Sequence, residues 1–183
     1  IGQLPLYFVE NRGQTDRRAA YYAEGGDTSV FFEKGGITFA KTDSGAERGW
    51  AVRVGFVGAR QTVRPVGKKR TPAIISYFTG QQSEWHAGLP TFAEVAYEDV
   101  WPGIDLVYTS RAGHLKYTFL VAPGADPRRI KLSVTGATDV ARKDDGRLVM
   151  ATPLGDLTEE APYVYQDVRG GRVEVPASFA VAS

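Results

Sequence analysis

Four carboxylates crowd the middle of the chain: Glu94, Glu98, Asp99 and Asp105, with Trp85, Tyr97 and Trp101 close by in sequence. Glycoside hydrolysis needs two carboxylates facing each other across a cleft. An aromatic ring packs well against the apolar face of a pyranose, so Trp85 and Trp101 are candidates for a sugar platform. Large rings are mostly buried, so a core role ranks first, glycan binding second and hydrolysis last. A second group is Asn11-Arg12-Gly13-Gln14, which follows an apolar strand. Its amides can tie loop backbone groups around a glycine at positive φ. An amide-stapled turn is the first reading, and a ligand loop using Asn11, Arg12 and Gln14 the second. Asp105 enters a strand directly after the rigid Pro102-Gly103 turn, between Ile104 and Leu106. A structural carboxylate held by Arg111 or by backbone N–H groups is its first reading, and a catalytic one its second.

Other chemistries lack their residues. The chain has 2 His, His86 and His114, and no Gly-x-Ser-x-Gly elbow, so a nucleophilic triad is not expected. The two His do not lie at ligand spacing, and Asp144-Asp145-Gly146 with Asp156 lacks a calcium-loop pattern. Gly25-Gly26 and Gly35-Gly36 do not open helices, which excludes a phosphate loop or dinucleotide fingerprint. With 0 Cys there are no disulfides and no thiolate nucleophile. The reading is a non-enzyme without cofactor or metal.

The elements that position these residues are strands. Ile104, Leu106 and Tyr108 share one face, with Asp105, Val107 and Thr109 on the other; Leu115, Tyr117 and Phe119 alternate with His114, Lys116 and Thr118. Period-two alternation marks half-buried antiparallel strands, and Ser110–Gly113 between them predicts a hairpin. The same pattern predicts strands at Leu6–Glu10, Ala19–Ala23, Ser29–Glu33, Ile37–Lys41, Ala51–Val57, Ile74–Phe78, Phe92–Tyr97, Ile130–Val134, Arg147–Ala151, Tyr163–Val168 and Val173–Val181. Turns are predicted at Gly25–Asp27, Lys34–Gly36, Asp43–Gly45, Asp144–Gly146, Leu154–Asp156 and Gly170–Gly171. Short helical turns fit only Ser83–His86, capped by Ser83, and Asp126–Arg129. Arg60–Arg70, with five basic residues, reads as an exposed loop or edge.

These elements belong to a chain of 183 residues with 43% hydrophobic and 23% charged residues, an ordinary globular composition of one domain, 1–183. The 21 Gly and 10 Pro favour many short strands over long helices. The expected fold is all-β: an antiparallel β-sandwich, jelly-roll-like in one version, with a partly open barrel as the alternative. A net charge of +1 gives no global field for nucleic acid. No apolar run approaches the roughly 20 residues that span a bilayer. The start at Ile1 without Met fits a removed leader or a trimmed chain.

Several segments in order resemble the N-terminal domain of bacterial secreted proteins that carry seven-bladed β-propeller (SBBP-type) repeats. They are Leu6–Asp16, Tyr77–Gly80 followed by Trp85, Leu89–Phe92, Val100–Tyr108, Leu115–Pro127, Asp145–Leu148 and Ala161–Gln166. The resemblance covers most of the chain. It implies a domain of unassigned activity, outside the cell or in its envelope, followed by propeller repeats that would be its partner. The expectation is a non-catalytic surface module, monomeric in isolation, that supports or docks to a β-rich neighbour and mediates surface contacts. The competing expectation is a carbohydrate-binding module, and behind it a glycan-active hydrolase domain.

Overall fold

A computed structural model describes residues 6–25, 27–42, 49–111 and 113–182; the expected turn at Asp43–Gly45 lies outside the described residues. The chain is all-β and antiparallel, with only two short 3₁₀ turns, Gln82–Glu84 and Pro127–Arg129. It divides into two compact units, Ile1–Thr135 and Gly136–Ser183, where the sequence reads as one domain.

Unit 1 is a ten-stranded sheet built from two meanders of consecutive strands. The first comprises β1 (Phe8–Glu10), β2 (Ala19–Gly25), β3 (Thr28–Glu33), β4 (Gly36–Thr42) and β5 (Gly49–Phe56), with β10 (Leu132–Thr135) added to β5. The second comprises β6 (Pro65–Tyr77), β7 (His86–Trp101), β8 (Ile104–Arg111) and β9 (His114–Val121). The meanders meet where β1 pairs with β7, at Phe8↔Phe92 and Val9↔Thr91. One edge of β7 is taken by β6 along most of its length, and the other is shared between β1 and β8. Sharing an edge makes the sheet curl into a half-barrel, so its two arms face each other. Of the two expected forms this is nearer the partly open barrel.

The core fills the space between the arms. Phe32 of β3 meets Tyr108 of β8 edge-on with centroids 5.1 Å apart, and Phe56 meets Tyr97 at 5.0 Å. Tyr97 is fully buried, and its hydroxyl reaches the carbonyls of Glu33 and Gly36, each at 3.0 Å. Ile104, Leu106 and Tyr108 are buried while Asp105 and Val107 are half-buried, which is the predicted alternation.

Of the two readings of Arg60–Arg70, exposed loop or edge, the edge holds from Pro65 on: this is the first half of β6, whose outer edge has no strand partner among the described residues. Lys68, Lys69 and Arg70 hide the alternation. Lys69 also has φ +54, and Pro72 follows, and such charges and irregularities keep a free edge from recruiting another strand. The cap of the first 3₁₀ turn is Gln81, not Ser83.

Unit 2 contains a three-stranded sheet, β11 (Asp139–Arg142), β12 (Leu148–Ala151) and β13 (Leu157–Glu159), and a hairpin, β14 (Val164–Val168) with β15 (Gly171–Val175). In the hairpin register, Val164, Val168, Val173 and Val175 share one face. The other face carries the Asp167–Arg172 ion pair and the Arg172 guanidinium 3.6 Å above the Tyr165 ring.

Candidate functional site

The Asn11–Gln14 loop is a turn tied from within. Asn11 Nδ2 donates to the carbonyls of Asp16 at 2.8 Å and Ala19 at 2.7 Å, while its Oδ1 accepts from the Gly13 N–H at 3.0 Å. Gln14 Oε1 accepts from Arg12 N–H at 2.7 Å, and its Nε2 donates to the Glu10 carbonyl at 2.7 Å. Arg12 folds back onto Glu10 at 2.9 Å. Asn11 and Gln14 therefore spend their polar atoms on the backbone, as the turn reading expects. In the next turn Asp16 is held down at about 2 by its hydrogen bonds from Arg18.

Gln14 also starts a chain of side-chain hydrogen bonds into the second meander. Its Nε2 donates to the Tyr22 hydroxyl at 3.2 Å, which donates to the Tyr77 hydroxyl at 2.9 Å, which reaches Glu24 Oε2 at 3.3 Å. Burial pushes both phenols above their ordinary range. Tyr77 pairs in register with His86, and a side chain at Gly13 would meet His86 Cε1 at 3.5 Å. The Asn11 loop and the start of β7 thus close on the same end of the sheet.

At that end the β6–β7 connection displays two rings. Phe78 is 61% exposed and Trp85 44% exposed, and they pack edge to face with centroids 5.3 Å apart. The connection between them is fixed by its own hydrogen bonds. Gln81 N–H donates to Glu84 Oε2 at 2.9 Å, and Glu84 N–H returns to the Gln81 carbonyl at 2.8 Å. Gly80 sits at φ +73, a backbone conformation that side-chain-bearing residues rarely adopt, and a Cβ there would also displace the Glu84 carboxylate. Three Gln81–Ser83 side chains, two amides and a hydroxyl, stand exposed beside the rings.

The remaining nominated residues lie elsewhere. Trp101 is 2% exposed; its indole N–H donates to the Val57 carbonyl at 2.8 Å and its ring packs on Phe56 and Phe119, so it has no free face for a ligand. Asp105 holds an irregularity between β7 and β8. Its Oδ1 accepts from Asp99 N–H at 2.6 Å, and Asp99, at φ +52, accepts from Gly103 N–H at 3.0 Å and pairs with Arg60. Arg111, offered as its partner, is exposed at the far end of β8, opposite His114. The other carboxylates are also engaged, Glu94 with Lys69 and Glu98 with Lys68. A recess of about 240 Å³ beside them is lined by Arg60, Thr62, Arg64, Glu98 and Asp99. Among the described residues no three His, Asp or Glu gather as metal ligands.

Of the six residues singled out in the sequence, Asn11, Arg12, Gln14 and Trp85 lie at one end of the sheet, and Trp101 and Asp105 do not. Tyr22, Glu24, Tyr77 and Phe78 were missed as members. The Tyr77-Phe78 pair ahead of a Gly turn was the visible signal for two of them.

A family model described as a domain of unknown function, DUF7948, matches residues 8–183. The chain belongs to the DUF7948 family. The match begins at β1 and runs through both units. No curated protein and no solved structure matches the chain.

Proposed function

We propose that this DUF7948 chain is a non-catalytic module of the bacterial cell exterior or envelope that docks beside a β-rich neighbour, the SBBP-type propeller repeats its sequence resemblance implies, and makes surface contacts through the aromatic end of unit 1. The observation that carries the reading is the pair Phe78 and Trp85, two large rings held in water by a turn whose hydrogen bonds are all internal. Solvent-facing rings on a rigid support are a contact surface that loses little entropy on binding. The non-catalytic part is supported by the carboxylates: Glu94, Glu98 and Asp99 are each committed to a cation and Asp105 to a backbone N–H.

The test adds the purified 183-residue chain to intact cells of the source organism and measures the fraction retained, beside a Phe78→Ser/Trp85→Ser double variant. Retention of the wild type and several-fold less of the double variant, with matching circular dichroism spectra, is the expected result. Equal retention of the two proteins refutes the contact site. Protection of the native parent protein from protease added to intact cells refutes the exterior address.

A further inference from the structure

We infer that the Phe78–Trp85 pair is a binding site for a neutral polysaccharide, one pyranose ring stacking on an exposed indole or phenyl face; the inference rests on the reading of this end as a contact site and names its ligand. The first ground is shape. An edge-to-face contact between two rings, here with planes at 81°, covers one of their four faces, and both residues remain well exposed, Phe78 more than Trp85. Ring face is the surface that matches the axial C–H groups of a sugar.

The second ground is the polar company. A pyranose carries hydroxyls around its rim, each a donor and an acceptor, and needs neutral partners that can be both. Gln81, Gln82 and Ser83 stand exposed on the turn between the rings, with half-buried His86 following Trp85. Placement is fixed in advance, since Gly80, Gln81 and Glu84 lock the turn, and Tyr77, next to Phe78, is anchored through Tyr22 to Gln14. A ligand meeting such a site does not have to order it.

The third ground is charge, which separates this ligand from its rivals. From Thr71 to Ser110 the sequence has no Lys or Arg. Two charged groups placed beside the rings, Glu84 in the turn and Glu24 on Tyr77, are acidic, while Arg12 in the neighbouring loop is paired with Glu10. An anionic lipid surface or an acidic polysaccharide calls for basic side chains around the aromatic pair. A neutral polymer does not.

The test uses the whole chain and its tryptophan emission. Trp101 is buried, Trp50 half-buried and Trp85 44% exposed, so Trp85 is the indole most open to a ligand in water, and a Trp50→Phe background removes the second partly exposed reporter. Soluble mixed-linkage β-glucan, xyloglucan and galactomannan are titrated, insoluble cellulose and chitin are tested by co-sedimentation, and polygalacturonate and phosphatidylglycerol vesicles serve as charged comparisons. The expected result is a saturable emission change, or co-sedimentation, with at least one neutral polymer. Affinities of the variants are read by calorimetric titration and co-sedimentation, since the Trp85 variants lack the reporting indole: Trp85→Ala and Phe78→Ala should each weaken binding by about tenfold or more, and Trp85→Tyr should hold it within a few-fold, because stacking is lost in the first two and kept in the third. Unchanged Tm in the variants separates lost binding from lost folding. Binding that ignores both alanine variants, or tighter binding of polygalacturonate or vesicles, overturns the inference. If no neutral polymer binds while the double variant still loses cell retention, the contact site stands and the glycan assignment falls. If retention is also unaffected, both fall.

Discussion

Replacing Asp105 by Ala removes the acceptor that holds the β7–β8 irregularity. Its Oδ1 lies 2.6 Å from the Asp99 N–H, and Asp99 has the left-handed backbone, φ +52, that side-chain-bearing residues avoid. A hydrogen bond to a charged acceptor contributes about 1.5–3 kcal/mol. Asp105 is half-buried, so water can reach the orphaned N–H, and the loss should fall near the lower end, ~1.5–2 kcal/mol. For a chain of this length that lowers Tm by roughly 3–8 °C. Asp105→Asn keeps an oxygen in place and loses only the charge, so it should lose about half as much. The ratio of the two losses identifies the partner, because an Arg partner would make Asn nearly as damaging as Ala. Guanidinium denaturation followed by tryptophan emission measures both variants, with Trp101 four residues away as the reporter. A wild-type midpoint in Asp105→Ala, or equal losses in both variants, refutes the reasoning.

Trp101→Phe keeps most of the packing but strands the Val57 carbonyl, so it should lose ~1–2 kcal/mol, and Trp101→Ala ~3–5 kcal/mol, by the same denaturation assay. Asn11→Asp should destabilise at neutral pH at least as much as Asn11→Ala, because a carboxylate cannot donate to the carbonyls of Asp16 and Ala19 and sets a negative charge against them; thermal melts of the two variants decide it. Tyr22, Tyr77 and Tyr97 are all raised above the ordinary phenol value, chiefly by burial, so the folded state holds their protons more tightly than the unfolded chain does. Their contribution to stability is therefore complete below about pH 10 and is lost as pH rises from there through the folded-state values. Phenolate absorbance during an alkaline titration, compared between wild type and the Tyr22→Phe, Tyr77→Phe and Tyr97→Phe variants, should show these three phenols ionising later than the unfolded chain's; ionisation of all three at the ordinary phenol value in the folded protein contradicts it.

Where alternation was clean the sequence was readable. Ile104–Tyr108 and His114–Phe119 became β8 and β9, and the apolar side of β8 is buried while that of β9 is half-buried, each covered at least as well as its opposite side. Pro65–Arg70 was legible as a loop or an edge but not as one over the other, because on a free edge charge density serves to repel neighbours and overrides the alternation. Strands β11 and β13 were missed for a different reason: Asp139-Val-Ala-Arg142 and Leu157-Thr-Glu159 hold too few apolar residues to show a pattern, unlike the equally short β12, Leu148-Val-Met-Ala151. In the site, the amide turn at Asn11–Gln14 was legible because its partners lie within eight residues. The Tyr22–Tyr77 contact spans 55 positions and depends on how the two meanders close, which no local pattern records. Trp85 and Trp101 look alike in sequence. Their different fates follow from position, one beside a polar turn and the other opposite Ile104 in a strand whose neighbours are buried.

The seam between the meanders also bears on how the chain reaches its fold. Within each meander, the late addition of β10 to β5 apart, the strands are joined hairpin by hairpin, so their contacts are short in sequence and form early. The backbone join between them is two register pairs, Phe8↔Phe92 and Val9↔Thr91, separated by more than eighty residues. Loop-closure entropy makes that join late, and the facing rings Phe32 and Tyr108 are brought together by the same event. During synthesis β1 leaves the ribosome first and finds β2 at once, but its second edge stays open until β7 has emerged. For that interval the nascent chain carries an unpaired strand edge whose only protection is its length of three residues.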